Sequence, residues 1–344
     1  MLYGSNGYTG RLIAEEAARR GLRPVLAGRR ASEVEEIARK CGCASRAFAL
    51  DRVEDITGQL SGMSAVLNCA GPFCKTAPNL MEACLRAKTH YLDITGEIDV
   101  IERAAALDGR AREAAVTIMP AVGFDVVPSD CLAARLADEL PTATHLMLAF
   151  TAGGAVSPGT AKTLLEVMPG GGRARIDGQI RRVPADWKKR AIEFPSGMKE
   201  AVTIPWGDVA SAYYSTGIPN IETYLAASPV LARRSKLLRR FSRLLRIGFV
   251  RKLAQRSIGW FLSGPSPDER AAGRCELWGQ VTDTAGNVVE AALETPDGYT
   301  LTVASALAAV ERVVAGGVQT GFLTPSKAFG KDFVLELPGT RWRV

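Results

Sequence analysis

Over the first 120 or so residues, short apolar runs alternate with stretches in which apolar positions recur every three or four residues. That alternation predicts βαβ units around a parallel sheet. Leu2-Tyr3 leads into a turn over residues 4–10. A helix is expected over 11–20, stopped by Gly21, which can adopt the left-handed conformation that follows a helix. A second strand is expected at 24–27 and a second helix at 32–40, with Ser32 as N-cap and Glu35 as its capping-box partner. Further strands are expected at 47–50, 65–68, 91–94 and 117–119, and helices at 78–87 and 98–107. Only three residues precede Gly4, whereas strands usually run to about five or six. Either the start lies upstream or the strand's outer end is missing.

From Gly123 the pattern changes. A helix opening at Pro128 and Ser129 is expected to run to 140, followed by a strand at 145–150 and a helix at 160–168. Runs at 275–281 and 288–294 flank Thr284-Ala285-Gly286-Asn287 as a hairpin would, and a helix is expected over 299–315. The predicted fold is α/β: a Rossmann doubly wound parallel sheet over 1–123, followed by a mixed α+β substrate domain over 124–344. The tail, 318–344, is a candidate to pack back on the first domain.

The chain's 344 residues suit two domains, and 47% hydrophobic with 23% charged residues is the balance of a soluble globular protein. Seven scattered cysteines form no disulfide framework, and Cys41 and Cys43 with only two histidines make no convincing zinc site, so a reducing compartment is expected. The turn beginning at Gly4 argues against a signal peptide. The longest uncharged run, 141–161, is broken by Gly153, Gly154, Pro158 and Gly159, which argues against a spanning helix. A cytoplasmic protein is expected.

The net charge of +7 belongs to one segment. Between Tyr224 and Pro267 stand ten Lys or Arg and no acid, leaving 33 basic against 36 acidic residues elsewhere. Leu231, Leu237, Leu238, Phe241, Leu244, Leu245 and Phe249 recur there at helical spacing among arginines. Such a helix either packs its leucines on the substrate domain, or lies on an anionic membrane surface or an acidic carrier protein through residues 231–256. Peripheral membrane association is therefore open, as is, separately, a homodimer; nucleic acid is not expected, because aromatic interleaving is sparse and the rest of the protein is net acidic.

Gly4-Ser5-Asn6-Gly7-Tyr8-Thr9-Gly10 follows an apolar strand and opens a helix, the context that gives a glycine pattern meaning. Glycines let the backbone turn tightly and approach a pyrophosphate at the helix N-terminus. The spacing G-x-x-G-x-x-G is a variant, and a ligand-free strand–turn–helix packing motif is the alternative. An NAD site places an acid at the end of the second strand to bond the ribose 2′-hydroxyl. Here the strand ends Ala27-Gly28-Arg29-Arg30, and two guanidinium groups suit a 2′-phosphate, so NADP(H) is the expected cofactor. Cys69, Ala70, Gly71 and Pro72 follow the fourth strand, at the crevice where the cofactor's far half meets substrate; Cys69 and Cys74 are read as buried structural thiols.

The chain resembles the saccharopine dehydrogenase-like superfamily, especially the bacterial branch that includes trans-acting enoyl reductases. The motifs that carry this are Tyr3–Gly10, Asn68–Phe73, His90-Tyr91-Leu92-Asp93-Ile94-Thr95-Gly96-Glu97 and Gly123-Phe124-Asp125-Val126-Val127-Pro128-Ser129-Asp130. Later come Ile204-Pro205-Trp206-Gly207-Asp208 with Tyr213-Tyr214, and Gly321-Phe322-Leu323-Thr324-Pro325. The resemblance implies an NADP-binding Rossmann domain, a second α+β domain over the nicotinamide, and hydride transfer. A C=C or C=N bond of a small-molecule or acyl-thioester substrate is the expected acceptor. The alternatives are a saccharopine dehydrogenase proper, acting on an amino-acid imine, and a non-catalytic NADP-bound scaffold at a lipid or acidic protein surface. A dicarboxylate would need several convergent basic groups, and Arg173, Arg175, Arg181 and Arg182 read as solvated.

Candidate catalytic groups are Asp93 and Glu97 after the fifth strand, and Asp125 and Asp130 at the hinge into the second domain. Each could bind substrate or relay a proton if burial raises its pKa; for Glu97, Asp125 and Asp130 the alternative is a capping or hinge carboxylate bonded to backbone amides. Tyr213 is the alternative acid; beside Tyr214 on a strand, one ring would face the pocket and the other would pack. His90 and His145 are read as structural, each at the start of a strand.

Overall fold

A computed structural model describes residues 1–151, 157–161, 171–185, 187–226 and 264–343. The basic segment 231–256 and most of the helix expected at 160–168 lie outside the described residues. The chain forms two compact units. One comprises Met1–Val127 with Tyr299–Ala328, the other Pro128–Gly298 with Phe329–Val344. The units interleave along the chain; the sequence pattern places 124–344 in one domain, with the tail 318–344 a candidate to pack back on the first.

The first unit is built on a seven-stranded parallel sheet. Its strands are β1 (Leu2–Tyr3), β2 (Leu26–Gly28), β3 (Ser45–Ala47), β4 (Ala65–Asn68), β5 (His90–Asp93), β6 (Thr117–Met119) and, from the far end of the chain, Gly321–Phe322. The order is β3-β2-β1-β4-β5-β6, with Gly321–Phe322 pairing Thr117-Ile118 beyond β6. This is the doubly wound order of dinucleotide-binding folds, and its switch point falls between β1 and β4.

The helices follow from their apolar spacing. In α1 (Tyr8–Arg19) Gly10, Ile13, Ala14 and Ala17 are buried, one stripe at i, i+3, i+4 and i+7. Gly21, at φ +80°, ends it: Leu22 N–H donates to Ala17 O at 2.9 Å and Gly21 N–H to Ala18 O at 3.0 Å, the paired closure expected at a C′ glycine.

In α2 (Ala31–Cys41) Val34, Ile37, Ala38 and Cys41 are buried. Its N-cap is Arg30 with no side-chain cap, which corrects the Ser32–Glu35 capping box. Helix α3 spans Val53–Gln59, and helix α4 (Phe73–Ala87) begins five residues earlier than Pro78 suggested and carries that proline inside. Its first amides are satisfied by a distant side chain that local pattern cannot show.

The second unit carries a nine-stranded sheet among the described residues. Along its main path Lys189–Phe194, Gly197–Thr203, Asn220–Ala226, His145–Thr151, Arg274–Thr282, Val288–Pro296 and Arg341–Arg343 are neighbours in that order. Asn220–Ala226 runs parallel to His145–Thr151, and the other pairs on that path are antiparallel. The hairpin Arg274–Thr282 with Val288–Pro296 forms as its alternation predicts, and the Asp283 carboxylate accepts the Ala285 and Asn287 amides across the turn, both at 2.9 Å. Trp278 packs with Ala149, Ile192, Phe194, Ala201 and Tyr224. A Cβ on the adjacent Gly279 would stand 2.7 Å from Leu136 of the helix Val127–Glu139, so that face is pressed against a helix. The tail divides: Gly321–Phe322 joins the first sheet and Arg341–Arg343 the second.

Gly10 lies in the first turn of α1, and any Cβ there would collide with the Gly4 carbonyl oxygen. Gly10→Ala is expected to cost about 1–3 kcal/mol of stability, as a forced backbone shift does. Chemical denaturation of the two proteins measures this, and an unchanged midpoint would show that the loop tolerates displacement.

Candidate functional site

At the carboxyl edge of the first sheet, the loop after β1 and the loop after β4 touch backbone to backbone. Gly4 has φ +82°, and a Cβ there would stand 2.7 Å from Ala70 N and 2.8 Å from the Cys69 carbonyl carbon. Gly4 N–H and Ser5 N–H both donate to Ala27 O, at 2.8 and 3.2 Å, and Ser5 Oγ donates to the same oxygen. Gly7 N–H closes the turn on Gly4 O at 3.0 Å, and helical bonding starts with Arg11 N–H to Gly7 O. The result is a bare backbone bend with the head of α1 directed into it. A pyrophosphate fits this cradle, because no side chain of Gly4, Gly7 or Gly10 fills it and the helix dipole favours anions there. Tyr8 instead packs edge-on against Tyr299, ring centroids 5.0 Å apart.

The end of β2 is basic but not only basic. Arg29 and Arg30 are exposed, and Arg29 makes no ion pair among the described residues. Arg30 Nη1 lies 2.6 Å from Glu33 Oε1, while Glu33 Oε2 accepts Asn6 Nδ2–H at 3.0 Å. Asn6 belongs to the phosphate loop, and its Oδ1 lies where a Cβ on Gly28 would come within 3.0 Å. Sequence reasoning overlooked Glu33; its i, i+3 spacing from Arg30 was the available signal.

After β4 and β5 the side chains form a buried polar chain. Asn68 Nδ2 donates to the Tyr91 hydroxyl at 3.3 Å and Asn68 Oδ1 accepts Ala70 N–H at 3.0 Å. Tyr91 donates to Asp93 Oδ2 at 2.7 Å, and Asp93 Oδ1 accepts Thr95 N–H and Ala121 N–H at 3.0 and 2.8 Å. Burial outweighs these bonds and pushes the Asp93 carboxyl up to about 6. Glu97 spans the start of α4, accepting Phe73 N–H at 2.7 Å on one oxygen and Cys74 N–H at 2.8 Å on the other. Asp125 abuts Gly96, whose missing Cβ would fall 2.7 Å from Asp125 Oδ2. Burial first, and then the Glu97 charge, push Asp125 up to about 7, although part of its side chain meets solvent. Three carboxylates thus share one neighbourhood, and two of them hold protons well above the usual carboxylate range. Cys69 lies beside them, its thiol pushed up by burial and by Asp93.

Residues 1–119 match the family model of the saccharopine dehydrogenase NADP binding domain. Over those residues the chain is similar to the NADP-binding domain of saccharopine dehydrogenases. The domain so matched is an NADP-binding one. A Mycobacterium tuberculosis protein provisionally named trans-acting enoyl reductase is 32% identical over 208 residues, covering 54% of this chain and 47% of that protein. A trans-acting enoyl reductase of Mycobacterium bovis is 33% identical over 140 residues, covering 38% of this chain and 33% of that protein. The chain therefore spans about half the length, or less, of the curated relatives it matches. Saccharopine dehydrogenase (L-Glu forming) of Saccharomyces cerevisiae shares the fold, with a TM-score of 0.65, 12% identity and coverage of 100% of this chain and 99% of that one.

Other residues stand differently from expectation. Tyr213 and Tyr214 lie on the helix Asp208–Thr216, not on a strand, so their rings splay by a helical step and meet edge-on at 5.7 Å. Arg175 is not solvated: it is 4% exposed, donates to Val209 O at 2.9 Å and Gly178 O at 2.7 Å, and stacks 4.2 Å from the Tyr213 ring. Backbone carbonyls and an aromatic face replace its lost water. Cys74 is exposed rather than buried, since it sits in the first turn of α4. Asp130 is buried in the second unit and accepts the Ser215 hydroxyl. His90 and His145 each open a strand, and His90 Nδ1 accepts Thr117 N–H at 2.9 Å. Among the described residues no helix is long and apolar enough to cross a membrane, and no His, Cys, Asp or Glu cluster could hold a metal ion.

Two outcomes are expected. Glu97→Ala strands two helix-initiating amides and should destabilise the protein by about 1–3 kcal/mol in denaturant titrations, with Glu97→Gln costing less. Asp93 and Asp125 keep protons in the folded state above the ordinary aspartate value of 3.8, where the unfolded chain has released them. Their contribution to stability therefore falls as pH rises from about 4 to about 7. Asp125→Asn should flatten that descent, which unfolding midpoints at three pH values would register.

Proposed function

We propose that this chain is an NADPH-dependent reductase that transfers hydride to a C=C bond of an acyl-chain substrate. The observation that supports this most is the group Asp93, Glu97 and Asp125 beyond the strands that follow the switch point. These groups hold protons or are occupied by backbone amides, so they offer no cationic partner for an amino-dicarboxylate, whereas an uncharged acyl chain asks for none. The relatives named trans-acting enoyl reductase agree with that choice, and a C=N acceptor is the narrower alternative on the same cofactor.

In this reading the backbone of residues 4–10 with Cys69, Ala70, Gly71 and Pro72 holds the dinucleotide, and Arg29 and Arg30 meet its 2′-phosphate. Bound NADPH supplies the hydride. Glu97 spends both oxygens on amides of α4 and orients that loop. Asp93 anchors Thr95, Tyr91 and the segment at Ala121. Asp125, held protonated near neutrality, is the group suited to deliver the proton that completes reduction of the double bond. Tyr213, on the second unit, is the alternative donor. The acyl chain is delivered as a thioester, tethered to an acidic carrier protein or synthase that docks on residues 231–256.

NADPH oxidation with α,β-unsaturated acyl thioesters tests the reading. Turnover with these, and none with aminoadipate semialdehyde plus glutamate, is expected; the reverse pattern would make it a saccharopine dehydrogenase proper. Asp125→Asn should lower kcat at least tenfold, at an order of magnitude set by general-acid catalysis, while leaving NADPH affinity unchanged. Arg29→Ala should weaken NADPH binding about tenfold or more and leave NADH binding within a factor of about two, since one charge-assisted pair is lost. Equal losses for both dinucleotides by titration would remove the 2′-phosphate role.

A further inference from the structure

We infer that Glu33 sets this chain's discrimination between a 2′-phosphate and a 2′-hydroxyl, by holding Arg30 in an ion pair that a 2′-phosphate must break. The inference rests on the NADPH reading above and concerns a residue which that reading does not use.

The strand β2 ends without an acid, yet a carboxylate reaches the same spot from the first turn of α2. Glu33 Oε1 takes Arg30 at 2.6 Å, and Glu33 Oε2 takes the Asn6 amide at 3.0 Å. Asn6 in turn lies over Gly28, the last residue of β2. One carboxylate therefore ties the phosphate loop, the end of β2 and one of the two arginines together. The other arginine, Arg29, makes no ion pair among the described residues.

The two arginines are thus unequal. Arg29 stands ready for an anion, whereas Arg30 is already neutralised by an anion of the protein's own. A 2′-phosphate beside Arg30 competes with Glu33 for the guanidinium and is repelled by the Glu33 charge. A ribose hydroxyl meets neither cost, because it is neutral and can donate to a carboxylate. The side chains are substantially exposed, 67% for Arg30 and 39% for Glu33, so the pair is weak and its partner exchange is reversible. Glu33 consequently narrows the preference for the phosphorylated dinucleotide. It also keeps Asn6 in place when no dinucleotide is bound.

The test is equilibrium binding of NADPH and of NADH to the full chain, followed by dinucleotide fluorescence, for wild type and four variants. Glu33→Gln keeps an acceptor for Asn6 and removes the charge. It should tighten NADPH binding about three- to tenfold and leave NADH within twofold, as loss of one nearby like charge predicts, with the gain shrinking at 1 M salt. Glu33→Asp keeps the charge and should show no gain. Arg30→Ala combined with Glu33→Gln should show a smaller gain than Glu33→Gln alone, measured against Arg30→Ala. Unchanged or weaker NADPH binding in Glu33→Gln, with wild-type unfolding midpoints, would overturn the inference while leaving the NADPH site intact. A wild-type chain that binds neither dinucleotide would overturn both.

Discussion

The first unit depends on one contact between two pieces of backbone. Gly4 approaches Ala70 so closely that not even a methyl group fits between them, and Gly10 approaches Gly4 in the same way. Because β1 and β4 flank the switch point, this contact brings the loop after each strand to a common edge and aims the head of α1 across it. Hydrogen bonds from Gly4 and Ser5 to Ala27 then tie that edge to β2. The basic tip at Arg29 and Arg30, the bare bend and the Asn68–Phe73 loop owe their shared location to these approaches.

The acidic side of the same edge shows how one residue type takes different tasks in different surroundings. Glu97 meets two amides with two oxygens, as a helix cap does. Asp93 is enclosed and fully engaged, and Tyr91 and Asn68 link it to the loop that touches Gly4. Asp125 is half-buried and faced by the Glu97 charge, so its proton is held near neutrality. The division into cap, anchor and proton holder follows from where each carboxylate's oxygens point and what solvates them.

The second unit solves a different problem. Its mixed sheet is pressed on a helix at Gly279 and packs aromatic residues around Trp278 on the opposite face. Arg175 is buried in it, where carbonyl oxygens and a tyrosine ring meet its guanidinium. A guanidinium so engaged orders the helix that carries Tyr213, and its burial removes one of the arginines that a dicarboxylate substrate would have required.

Much of the first unit was legible in the residues themselves. Strand and helix periods, the αL glycine at Gly21 and the glycine bend at 4–10 are local properties, dictated by sterics and by side-chain spacing within one or two turns. The hairpin near Gly286 was legible for the same reason. Long-range partners were not. The Phe73 and Cys74 amides that allow α4 to start before Pro78 are met by Glu97, and the strand Gly321–Phe322 crosses the whole chain to reach β6. The helical setting of Tyr213 and Tyr214, the burial of Arg175 and the Glu33 tie to Asn6 also rest on neighbours far away in sequence. Local chemistry determines what a segment can be; which charges lose their water, and to whom, is settled only when distant segments are brought within hydrogen-bond reach.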